Sequence, residues 1–267
     1  MLPRNRPANL ENIDGDSYRG GSAILPTLVI LGSIVLWEAL VRVFRLPAYI
    51  LPAPSQILAG LGKDMDLMLA HSVTTTVEIL TGFLISIFVG IPLAAALAYS
   101  KLLEGAVYPL LVFSQIVPKI AVAPLFLIWF GFGWAPKIIL VVLIAIFPII
   151  INTMTGLKSV DPEMILMIRS MNAGRFEIFR RVTFPCALPS VFGGLKVAIT
   201  LAVIGAVVAE WVGSERGLGY LLLSAGANFR SVLLFEALTM ITVIGVALFF
   251  AVDLLERWAV PRRTVGH

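Results

Sequence analysis

Chemistry in this sequence is confined to a few ionisable side chains set in apolar surroundings. Lys119 lies in VPKIAVAPLF, Glu210 ends GAVVAEW beside Trp211, and Arg169, Arg175, Arg180 and Arg181 crowd into IRSMNAGRFEIFRRVTFPCALPS. None of them stands where covalent catalysis needs it. No Ser/His/Asp set or metal-ligand cluster occurs in the apolar stretches. His71 and His267 are far apart, and Cys186 is alone, which excludes a histidine ligand pair, an internal disulfide and a cysteine-built metal site. GLGKD at 60–64 has the wrong spacing for a phosphate loop and no Ser or Thr after Lys63. What remains is recognition: a cation or carboxylate offered to a solute, a headgroup or a partner.

The elements that position these residues follow from composition. The chain has 267 residues, 59% hydrophobic and only 13% charged, and its mean hydropathy is +0.97. A soluble domain carries about 25% charged residues, so the chain reads as an all-α polytopic membrane protein. The net charge of +4 invites a nucleic-acid reading. The basic residues cluster between apolar runs, however, and membrane topology accounts for them without nucleic acid.

Six spans are expected, at about 24–44, 73–100, 105–130, 136–156, 187–210 and 233–256. The first run has 21 residues, about 31 Å of helix at ~1.5 Å per residue. That exceeds a signal-peptide core, and no small-residue cleavage site follows, so it is expected to be retained. The stretch 46–70 holds three prolines and is expected to make a turn and one short surface helix. With the N-terminus in the cytoplasm, the inside segments carry 12 basic residues and the outside segments six, which favours both termini inside. The organisation is then a tail at 1–23, one membrane domain at 24–260 with a cytoplasmic loop at about 158–186, and a tail at 261–267. Pro92, Pro109, Pro118, Pro124 and Pro148 fall within spans, where each frees a carbonyl that needs another partner. Kinked packing and a path lined by broken helices both fit.

The charged stretch belongs to the loop. Asp161 can cap a helix with Pro162 at its first position, and Ile165, Ile168 and Met171 share a side of it. Beyond Asn172 and Gly174, a second helical stretch carries Phe176, Phe179 and Val182 at a spacing of three, with Arg175, Arg180 and Arg181 on its polar flank. Pro185 and Pro189 are expected to stop or bend it. Two short amphipathic helices do not span a membrane. They lie on lipid headgroups or dock into a partner's groove, and periodicity does not choose between these.

The stretch resembles the cytoplasmic coupling loop of permease subunits in binding-protein-dependent ABC importers, whose pattern is Glu-Ala-Ala, three residues, Gly, nine residues, Ile-x-Leu-Pro. With Pro185 as anchor, Phe184 takes the Leu position, Val182 the Ile position and Asn172 the Gly position. Leu166, Met167 and Ile168 replace Glu-Ala-Ala, so the motif is degenerate and the contact expected of the glutamate is missing. Asn172 can still supply the left-handed turn. LPAPSQIL (51–58), VPKIAVAPLFLIWFGFG (117–133), FPIIINTMTGLKSVDPE (147–163), FPCALPSVFGGLKVAIT (184–200) and AEWVGSERGLGYLL (209–222) are similar to the nitrate/sulfonate/taurine-type branch, in the expected order.

The resemblance implies a type I permease fold in a bacterial cytoplasmic membrane. It also implies a second permease copy, two ATP-binding subunits beneath the pair, and an extracytoplasmic solute-binding protein. This chain would bind no cofactor, ATP and magnesium being used by the partner ATPase. The loop would fit an ATPase groove, with Phe176 and Phe179 as anchors and the arginines at the rim. Lys119, Glu210 and Trp211 are the candidates for the pathway. Each also has a plainer reading, as a snorkelling lysine or an interfacial glutamate beside a belt tryptophan. Lys196 is expected to snorkel towards the cytoplasm, and Glu38, Glu78 and Glu236 to serve as hydrogen-bonding groups between helices. A self-contained secondary transporter would want paired intramembrane acids or inverted repeats, and neither is evident. The solute stays open between an anion such as nitrate, sulfonate or taurine and a pyrimidine vitamin precursor or riboflavin-like molecule.

Overall fold

The structure, a computed structural model, describes residues 24–260. The two tails, with Arg4, Arg6, Arg19 and His267, lie outside the described residues. Among the described residues the regular elements are helices: α1 (Ile24–Val43), α2 (Pro54–Lys63), α3 (Met65–Tyr99), α4 (Lys101–Ile116), α5 (Lys119–Phe130), α6 (Trp134–Lys158), α7 (Pro162–Ser170), α8 (Arg175–Ile178), α9 (Phe184–Gly213), α10 (Leu218–Ala227) and α11 (Ser231–Ala259). Five uninterrupted segments are long and apolar enough to cross a membrane, and a sixth crossing exists if α4 and α5 form one bent span.

Three boundaries differ from the expectation. The span expected at 105–130 is broken, α4 and α5 meeting at 99°. Pro118 has no N–H to give the helix and pushes Val117 to an extended φ of −68° and ψ of 124°, so two adjacent residues leave the helical region. The stretch 46–70 does form a short helix, α2, but its last residues belong to α3. That makes α3 35 residues long, about 52 Å against a hydrocarbon core of about 30 Å. Finally, Pro185 and Pro189 do not end the helix before the fifth span. Residues 175–213 run as one helical segment of 39 residues, with a π-helical turn over Phe179–Thr183. The wider turn, in which the Phe184 N–H donates to the Phe179 carbonyl, absorbs the missing donor of Pro185 without a break.

The core is built where α6 lies between α3 and α9, the pair α6–α9 being the most extensively packed. Val141, Ala145 and Ile149 of α6 meet Ile79 of α3 and Ala198 and Ala202 of α9, all six at most 1% exposed. In lipid the apolar effect does not drive helices together, so close backbone approach and dispersion must do so. Small residues permit that approach. A Cβ on Gly194 would stand 2.8 Å from the Pro148 carbonyl oxygen and 2.7 Å from Asn152 Cβ, and one on Gly82 would stand 2.4 Å from Val141 Cγ1. By contrast, α1 lies at the periphery with most of its apolar side chains exposed, as a lipid-facing helix requires.

Gly194→Val should therefore force α6 and α9 apart and lower stability by about 1–3 kcal/mol, read as an earlier thermal transition of the purified chain in detergent. Gly105→Val, at a position with nothing within 4 Å of a new Cβ, should melt within a degree or two of the parent.

Candidate functional site

Two regions gather the side chains that could do chemistry, and they lie at opposite ends of α9. The first surrounds the loop between α9 and α10. Lys137 is only 7% exposed and donates to Glu78 Oε1 at 2.7 Å and to Ser214 Oγ at 2.7 Å. Glu210, 1% exposed, accepts from Thr75 Oγ1 at 2.7 Å and from the Gly219 N–H at 2.5 Å. The Leu218 N–H donates to Thr75 Oγ1 at 2.8 Å, and the Gly217 N–H donates to His71 Nδ1 at 3.0 Å. Ser214 Oγ also bonds the Arg216 carbonyl.

The result is a loop sewn into the bundle. Two turns of α3 (His71, Thr75, Glu78) contact residues 217–218 and the buried side chains of Glu210 and Lys137, and α6 supplies the ammonium that balances Glu78. A lone lysine at the centre of a bilayer helix costs about 2.5–3.5 kcal/mol. The Glu78 carboxylate and the Ser214 hydroxyl replace the water it loses. Gly217 makes the fit possible twice over: its φ is +112°, and a Cβ there would stand 2.2 Å from the Glu210 carboxyl.

The second region is the loop from α6 to α9. Asp161 caps α7, accepting from the Glu163 N–H at 2.8 Å, with Pro162 at the first helical position. Asn172 takes φ +64° between α7 and α8, the left-handed setting its motif position requires, and Gly174 caps α8. The apolar residues divide in a way that their spacing does not show. Val182 and Ile178 are buried, and Phe179 packs with Tyr99 and Phe184 at centroid distances of 6.0 and 5.7 Å. Pro185 lies in the first turn of α9. Outward stand Leu166 and Met167 at 61%, Met171 at 76% and Phe176 at 74% exposure. Of the two aromatic anchors expected, only Phe176 is free to meet a partner. Arg181 pairs with Glu177 at 3.2 Å, while Arg175 and Arg180 form no ion pair among the described residues.

The other candidates fall elsewhere. Lys119 stands at the corner between α4 and α5, at the first residue of α5, and donates to Gln115 across the break. Trp211 is 40% exposed beside Glu210. The Lys196 ammonium lies between Asp253, at 2.5 Å, and Glu256 in the last two turns of α11. Glu38 ties α1 to α2, accepting from the Ser55 N–H at 3.0 Å and Ser55 Oγ at 2.8 Å. Glu236 is buried against Gly60. Lys137 and His71 are the functional side chains that sequence reading missed. Lys137 is one of the six basic residues counted for the outside segments, and the signal available was its place at the start of an otherwise uncharged apolar run.

A helical bundle with five or six candidate crossings, a charged loop at one end and a polar cluster at the other is that of a multi-span membrane protein. Comparison with known proteins makes this specific. Residues 82–265 match the family described as binding-protein-dependent transport system inner membrane component. The chain is 37% identical to the formylaminopyrimidine transport permease protein ThiX of Halalkalibacterium halodurans over 92% of this chain and 98% of that protein. It is 30% identical to the putative aliphatic sulfonates transport permease protein SsuC of Bacillus subtilis over 88% and 84%. Its fold matches a chain of the inward-facing MetNI methionine ABC transporter with a TM-score of 0.67 and 19% identity, over 74% of this chain and 98% of that one. The chain belongs to the permease family of binding-protein-dependent ABC importers, and it is a multi-span permease subunit with the fold of that class.

Removing one partner of the buried pair strands the other. Lys137→Met should cost about 3–5 kcal/mol, seen as a lowered melting temperature in detergent. The double variant Glu78→Gln/Lys137→Met should recover most of that loss, and a single variant that melts like the parent would show that the pair does not hold the bundle.

Proposed function

We propose that two copies of this chain form the pathway of an ATP-driven importer. Two separate ATPase subunits dock on the α6–α9 loop, and a solute-binding protein delivers a small solute at the opposite end. The observation that carries this is the outward face of the loop. Leu166, Met167, Met171 and Phe176 are large, apolar and exposed on the short helix α7, at its C-terminus and at the very start of the 175–213 segment, and arginines rim them. A helix pair of that kind is suited to a groove on a partner, with Phe176 as the aromatic anchor. Leu166 and Met167 occupy the positions where the family pattern has Glu and Ala, so the contact here is more apolar than the pattern's own.

Other features support the same reading. The basic-residue bias favours an orientation with the loop and both termini in the cytoplasm. The sequence has no phosphate loop, so the ATPase is a partner. The α4–α5 pair buries almost nothing in its own chain, with Ala123 its one buried residue, which leaves an apolar surface for a second copy or for lipid. The named relatives carry solutes as different as a formylaminopyrimidine and aliphatic sulfonates, so the binding protein sets most of the selection.

Affinity purification of the tagged chain from its membrane in mild detergent should bring down an ATPase at one copy per permease chain. Phe176→Asp should abolish that association and lower uptake at least tenfold, as expected when an interface anchor worth ~2 kcal/mol or more is lost, while leaving the melting temperature unchanged. Phe179→Asp should instead lower the melting temperature, because Phe179 faces the bundle. A chain that purifies alone and transports solute alone in liposomes would overturn the proposal in favour of a self-contained transporter.

A further inference from the structure

We infer that the cavity between the end of α3 and the α7–α8 turn holds an anionic phospholipid of the surrounding membrane, its phosphate on Arg169 and Arg175 and its acyl chain on the apolar wall. The cavity has a volume of about 700 Å³. Ala95, Ala96 and Tyr99 of α3, Ile165 of α7, and Ile178 and Phe179 supply its apolar surface.

The charge on its walls has one sign. Arg169 and Arg175 both line it, and no carboxylate does. Neither guanidinium has an ion pair among the described residues, and Glu177, the acid beside them, is taken by Arg181 at 3.2 Å. Thr183 lines the same cavity and is only 2% exposed, yet its hydroxyl has no hydrogen-bond partner among the described residues. Buried hydroxyls are normally partnered. Two guanidiniums and a hydroxyl offer many donors to one place, and a phosphate has the acceptor oxygens to meet them.

Packing says what else the occupant must be. Helix α7 buries none of its own residues, so the cavity lies where its packing against α3 is missing. A free phosphate would leave the apolar walls uncovered; an acyl chain covers them. The place fits as well. Ala96 and Tyr99 are exposed in the last turn of α3, just before Lys101, at the end of the bundle that the basic residues favour as cytoplasmic. Basic pockets between membrane helices on that side attract anionic headgroups, because the leaflet there carries a negative potential. Leu166, Met167 and Met171 are not among the walls. The face offered to a protein partner and the face offered to lipid are therefore distinct, with Phe176 on their border. A lipid seated here ties α7 to α3 and holds the loop in place.

The test takes the permease, with whatever subunits accompany it, into nanodiscs of phosphatidylcholine with phosphatidylglycerol as the minor component. Native mass spectrometry then counts the lipids that stay bound after release into detergent. Phosphatidylglycerol should be retained well above its share. Arg169→Gln/Arg175→Gln should cut that retention about tenfold or more, the scale of lost charge-assisted contacts, and Thr183→Val should cut it severalfold. Arg180→Gln/Arg181→Gln, outside the cavity, should leave it unchanged. Equal retention of the two lipids would overturn the assignment, and so would equal losses in the two arginine pairs, which would mean a general attraction of the basic surface. Displacement of the lipid by glycerol 3-phosphate would give the site to a soluble phosphate ester instead. Retention by the chain alone but not by its complex would give it to a segment of the partner. Failure of an ATPase to accompany the chain would overturn the importer reading and leave this test intact.

Discussion

The arrangement at the α9–α10 loop follows from one constraint: a charge placed among apolar helices must find its partners inside the protein. Lys137 and Glu78 meet that constraint across α3 and α6, and Glu210 meets it by drawing in a hydroxyl and a backbone N–H. The backbone of residues 217–219, which would otherwise need water, is satisfied by the same side chains. An apolar replacement could pack as well as such a pair, and buried ion pairs are weak grounds for stability as such. What the pair gives here is position, because a loop bound at four polar points has one place to sit.

The opposite end obeys the reverse rule. There the polar groups are exposed and the anomaly is apolar: Leu166, Met167, Met171 and Phe176 stand outward while Phe179 and Val182 turn in. A helix face with both kinds of apolar residue has two partners, the bundle on one side and something absent on the other. The π turn over Phe179–Thr183 lies between these roles. It shifts the helical register of α9 relative to α8.

Much of this was legible in the residues. Hydropathy located the spans to within a few residues, except where Pro118 split the third and where α3 took over the end of the preceding connector. Asp161-Pro162 marked the start of α7, and Asn172 supplied the left-handed turn its motif position demanded. The polar network was not legible, for a physical reason. Its bonds join residues 59, 77, 135, 143 and 146 positions apart, and periodicity speaks only of neighbours along one helix. Lys137 looked like a loop residue because charge alone does not reveal depth. The division between Phe176 and Phe179 was hidden likewise, since equal spacing of three would put both on one α-helical face and only the tertiary packing separates them.

The two ends are joined by a single element. The helical segment 175–213 is 39 residues long, about 58 Å at ~1.5 Å per residue, with Phe176 near one end and Glu210 near the other. Any tilt imposed on α8 by a docked partner must either be absorbed at the π turn or reach the Glu210 contacts with Thr75 and Gly219. The packing against α6 decides which. Gly194 and Gly205 hold α9 in near backbone contact with α6, and Gly82 and Gly90 bring α3 close to the other side of the same helix, so α6, which carries Lys137, is gripped by both neighbours. Glu78 and Thr75 both belong to α3, so a displacement of α3 against α6 and α9 would strain the Lys137–Glu78 and Glu210–Thr75 contacts together.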